Sequence, residues 1–133
     1  MSEEKKIKVV LLKPGKLART AEIGTSIEDL QNAVDGLIEP FYPFEEQVCI
    51  VCNDEGKING MLPNRSVKNK DGVMVDFIFG PAFICDCRGE SFDSLSDEQI
   101  ARYTKMFRYP EHLARLNGKL IGIPFNPQRE HER

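Results

Sequence analysis

The sequence predicts an α+β fold: a mostly antiparallel sheet of five to seven strands with two or three helices packed on one face of it. Three observations predict it. Short segments of alternating apolar residues recur along the chain, as half-buried strands require. Only a few stretches space their apolar residues for a helix instead. Turn formers such as Pro14-Gly15, Gly80-Pro81 and Asn117-Gly118 punctuate them. The length, 133 residues, suits one domain, expected over residues 1–126 with a polar tail at 127–133.

Ile7 to Leu12 reads as a strand, and Pro14-Gly15-Lys16 as the turn that lets Leu17 to Ile23 pair back on it. Thr25 with Glu28 fits a capping box that opens a helix. Ile27, Leu30, Val34, Leu37 and Ile38 form its buried stripe, and Pro40 stops it. Val48 to Cys52 is apolar on both faces, as a central strand would be. Asp54 to Lys57 reads as a hairpin turn, Ile58 to Leu62 as the return strand, and Pro63 as its end. Val73 to Phe79 and Phe83 to Cys87 are further strands. Ser96 and Gln99 box the start of a second helix striped by Ile100, Tyr103 and Phe107. Pro110 interrupts it, Glu111 to Leu116 reads as a short third helix ended by Asn117-Gly118, and Leu120 to Ile123 as an edge strand.

Charge and cysteines narrow the function classes. Eighteen bases against twenty-one acids give a net charge of -3, which makes a nucleic-acid partner unlikely. The start has no signal-peptide pattern and no run approaches a bilayer span, so a soluble cytoplasmic protein with no membrane partner is expected, its four cysteines reduced. Cys49 and Cys52 sit three apart in a strand and point to opposite faces, so they diverge rather than chelate. Cys85 and Cys87 share a face, which leaves a partial metal site open, but the expectation is core thiols, no metal and no cofactor. Of the two histidines, His131 lies in the tail, and nothing places a nucleophile beside His112. No phosphate-binding or zinc-protease motif is present, and no catalytic residue is expected.

Two stretches remain as candidate binding surfaces. Asn53 to Arg65 is rich in amides and glycines: turn chemistry accounts for Gly56 and Asn59-Gly60, but not for Pro63-Asn64-Arg65. The segment from Arg102 to Arg115 interleaves bases with aromatics; a phosphate dock is one reading, but a solvated helix face is favoured, because the net charge supplies no supporting field. The candidate ligand- or partner-binding residues are therefore Tyr42, Asn53, Asn59, Asn64, Arg65, Arg102 and Arg108.

In order, several pieces resemble a bacterial and phage family, domain of unknown function 3846. They include Lys13-Pro14-Gly15, Ile27 to Gln31, Gly36 to Glu39, Tyr42-Pro43-Phe44, Cys52 to Lys57 and Pro63-Asn64-Arg65. Phe79-Gly80, Phe83-Ile84, Phe92, Leu95, Asp97 to Ile100, Tyr103 and Phe107 complete the set, over residues 6–107. The resemblance implies cargo of phages, plasmids and conjugative elements, and it supplies no catalytic residues. It implies a non-enzymatic accessory protein that binds a host component, with an anti-defence role. The rival from another class is a sequestering protein for a phosphorylated small molecule, with Arg65 and the Arg102–Arg115 bases on the phosphates. A plain structural or interaction module is the third reading.

Overall fold

The computed structural model describes residues 5–128; His131 and most of the expected tail lie outside them. Five strands form the main sheet in the order β2-β1-β7-β4-β3: β1 (Lys6–Leu12), β2 (Arg19–Gly24), β3 (Ile38–Phe41), β4 (Val48–Asn53) and β7 (Ala82–Asp86). Each pairing is antiparallel. β5 (Pro63–Lys68) pairs with β6 (Met74–Phe79), and β8 (Glu111–Leu116) with β9 (Lys119–Pro124), as two separate small sheets. The helices are α1 (Ile27–Val34) and α2 (Asp97–Met106). The α+β class stands.

Alternation in the central strands builds a core on both faces of the main sheet. Val9, Leu11, Cys49, Val51, Phe83 and Cys85 meet Leu30 and Val34 of α1. Val10, Leu12, Val48, Ile50 and Ile84 meet Tyr103 and Phe107 at the end of α2, and also Val67 and Ile78 of the β5–β6 sheet. The helices thus lie on opposite faces rather than one, because both faces of β1, β4 and β7 are apolar.

Four local expectations are corrected. Ser26, not Thr25, caps α1, its side chain accepting from the Asp29 amide at 3.1 Å. The helix ends at Val34 instead of running to Glu39: Asp35 turns left-handed at φ 60, and Ile38–Phe41 becomes edge strand β3, where Pro40 is tolerated. The return strand at Ile58–Leu62 is absent. The chain turns through 54–60, Ile58 and Leu62 stay exposed, and Pro63 begins β5 rather than ending a strand. Glu111–Leu116 is a strand, not a helix, because Asn117 and Gly118 both take positive φ (51 and 80) and make the two-residue turn that folds β9 back on β8.

Candidate functional site

The Asn64-Arg65 pair, left unexplained by turn chemistry, sits inside the protein. Arg65 is 0 % exposed, and its guanidinium spends every N–H donor on an acceptor of the chain itself. Nε donates to Phe107 O (2.6 Å), Nη1 to Lys13 O (3.2 Å) and Asn64 Oδ1 (2.6 Å), and Nη2 to Lys16 O (2.6 Å) and Arg108 O (3.3 Å). Burial pulls its pKa down to about 10, with Glu111 opposing, so it stays charged at neutral pH. Asn64 Nδ2 donates to Leu12 O at 3.0 Å and Gly80 O at 2.8 Å. The pair therefore ties β5 to the end of β1, the turn after it, and the C-terminus of α2, leaving no guanidinium donor for a ligand.

Asn53 is buried as well. Its Nδ2 donates to Val34 O (3.0 Å) and Asp35 O (3.2 Å), capping the carbonyl end of α1, while Oδ1 accepts from the Glu55 amide at 2.8 Å. The other candidates are at the surface and are not gathered in one place. Asn59 lies in the exposed 54–60 turns, Tyr42 is exposed beside Pro43, and the Arg108 guanidinium lies 5.4 Å from the Tyr109 ring.

Arg102 alone of the candidates lines a large surface groove, of about 660 Å³, between α2, β5, the start of β8 and the 43–46 and 69–72 segments. Phe44, Met106 and Phe107 give it an apolar floor. Phe44 packs against Tyr103 with ring centroids 4.7 Å apart and the rings tilted by 49°. At the rim, Glu46 accepts from the Tyr103 hydroxyl and from Arg102 Nη2 at 2.5 Å, and Arg102 also reaches Glu98 at 3.5 Å. The Tyr103 hydroxyl, ahead of Gln99 and Arg102, holds the Glu46 carboxyl below its usual range against partial burial. Burial, then Glu46, pushes the Tyr103 hydroxyl up. Lys70 meets Glu45 at 3.6 Å, and Glu111 accepts from the Ser66 amide at 3.0 Å. The charges of the groove mostly answer one another. Sequence reasoning passed over Glu46, Met106 and Glu111 because their partners come from distant segments; Glu46 lies 57 positions from Tyr103. Arg102 and the aromatic stripe of α2 are the legible parts of the groove.

The cysteines sit as their strand positions require. Cys49 and Cys85 face each other across β4 and β7 with sulfurs 3.8 Å apart, in the core under α1. Cys52 packs on the other face. Burial, then Glu39 and Asp76, pushes the Cys52 thiol up to about 11; burial, then Cys49, pushes Cys87 up to about 11. Among the described residues no cluster of three or more His, Cys, Asp or Glu side chains is placed to hold a metal ion. His112 is exposed and stacks on Phe125 with centroids 4.0 Å apart. No helix among the described residues is long and apolar enough to cross a membrane.

Fold and groove together define a small α+β domain, closed by a buried arginine and grooved beside its second helix. The chain belongs to the family described as "Domain of unknown function (DUF3846)", whose model matches residues 7–108. The match stops just before β8, so the β8–β9 hairpin lies beyond it. No curated protein and no solved structure matches the chain.

Proposed function

We propose that this protein is a non-enzymatic binding module that takes a host protein in the groove between α2 and β5, as an accessory of a phage, plasmid or conjugative element. The groove carries this reading. An apolar floor of Phe44, Met106 and Phe107 inside a rim of charged groups has the anatomy of a protein–protein contact. Tyr42, exposed beside the lining residue Pro43, adds an aromatic of the kind that anchors interfaces. The accessory role, and with it the blunting of a host defence, is supported by the family's resemblance to mobile-element cargo and not by the site.

Sequestration of a phosphorylated small molecule is less well supported. Arg65 has no donor to offer, and Arg102 is already neutralised by Glu46. The test is retention from a lysate of the producing bacterium on immobilised protein. The reading expects one host protein to be held by the wild type and by Ile58→Asp, and released by both Arg102→Glu and Met106→Asp, with all variants melting as folded proteins. Equal retention by the groove variants, or no retained protein, contradicts it.

A further inference from the structure

A second cavity, of about 630 Å³, opens between the turn after β1, the end of β2, α1 and the 61–62 and 80–81 segments. Its walls are largely apolar: Leu11, Ile23, Ala33, Met61, Leu62 and Pro81. Two lysines, Lys13 and Lys16, line it from the turn, and two aspartates, Asp29 and Asp35, from α1 and its C-cap. None of these four makes an ion pair among the described residues. The groove beside α2 differs in this respect, since its charges are largely paired with each other.

The walls are held in place from beneath. The carbonyls of Lys13 and Lys16 are both gripped by Arg65, and Lys16 N donates to Lys13 O at 3.2 Å to close the turn. Asn64 holds Leu12 and Gly80 in the same way. Asp29 is set by a glycine: a Cβ at Gly24 would collide with its carboxylate. A cavity whose walls are fixed before binding loses little by ordering when a ligand enters.

We infer that this cavity is a binding site for a small zwitterion with an apolar body, namely a short apolar peptide with both termini free. The apolar walls take its side chains, the lysines its carboxylate and the aspartates its ammonium group. A nucleotide or other polyanion meets Asp29 and Asp35 as like charges, and a simple cation meets the lysines. Only a ligand carrying both signs satisfies both rims. The site is separate from the groove of the proposed function, and neither depends on the other.

The test is calorimetric titration of the full chain with the dipeptide Leu-Leu, its N-acetyl form, its C-terminal amide, and adenosine monophosphate. Leu-Leu is expected to bind saturably and to raise the melting temperature. Each blocked form, and the unblocked dipeptide with Asp29→Asn or Lys13→Gln, is expected to bind about tenfold or more weakly, the loss of one charge-assisted contact. Gly24→Ala, which displaces the Asp29 carboxylate, should weaken binding too. Leu62→Asp, on an exposed side chain, provides a wall variant that leaves the core intact. No saturable binding of Leu-Leu, equal binding of the blocked forms, or tighter binding of the nucleotide overturns the inference.

Discussion

Arg65 Nε donates to the carbonyl of Phe107 at 2.6 Å, joining the interior of β5 to the residue that caps the C-terminus of α2. A helix end leaves carbonyls unpaired, and a buried guanidinium is the side chain with the most donors to give them. The other donors of Arg65 extend the tie to the turn after β1, so one side chain fixes a wall of the groove and a wall of the second cavity. Its place among carbonyls, with no carboxylate in contact, makes it an organiser of the fold.

Arg65→Ala is therefore expected to destabilise strongly, by about 3 kcal/mol or more, because buried carbonyls lose their donors. Arg65→Lys, with a single nitrogen, cannot reach the separate acceptors and should recover only part of the loss. Denaturant unfolding measures both. An Arg65→Ala protein melting with the wild type would show that the side chain is dispensable to the fold.

Asn53→Ala removes the cap from α1 and leaves the Val34 and Asp35 carbonyls without that donor. A loss of about 1–3 kcal/mol is expected, with faster amide exchange in the last turn of α1. Gly36→Ala should act through the same contact, since a Cβ there would lie 2.6 Å from Asn53 Nδ2.

Glu46 gives the fold a pH dependence. Its folded pKa is depressed, chiefly by the Tyr103 hydroxyl, so its contribution is present above the ordinary glutamate range and is lost as pH falls through the folded value. Its side chain is 37 % exposed and that of Arg102 41 %, so the effect is modest, about 1 kcal/mol or less. Thermal melts of wild type and Glu46→Gln should differ at neutral pH and converge in acid. A constant difference down to pH 2 would contradict the assignment.

Thiol reactivity should follow burial. Cys52 and Cys87, with thiols pushed up to about 11, remain protonated near neutrality. Iodoacetamide at pH 8 should label them far more slowly in the folded protein than in urea. Equal rates in the two states would place the sulfurs at the surface.

Much of this fold was legible wherever local chemistry decides the outcome. The alternation of β1, β4 and β7 is written in each strand's own residues, and the β1–β2 turn and the Ser96/Gln99 box are satisfied within a few residues of themselves. The errors arose where a distant partner decides. Asn53 helps to end α1 from the far end of β4, and Pro63-Asn64-Arg65 is drawn into a strand by acceptors near residues 13 and 107. β8 differs: there the local pair Asn117-Gly118 turns a hairpin instead of ending a helix. The candidate site shows the same division. Arg102 was found because its neighbours form a stripe, whereas Glu46 and Met106 had no local signal. Asn64 and Arg65 have no turn to serve because their partners lie inside the fold.

The groove beside α2 is the central functional claim, and photo-crosslinking in cells of the proposed bacterial host tests it most directly. A photoreactive phenylalanine analogue is placed at Met106 in the groove, and at the exposed Ile58 outside it. The account predicts one adduct of defined mass from position 106 and none of that mass from position 58. The same adduct from both positions, or none from position 106, would contradict it.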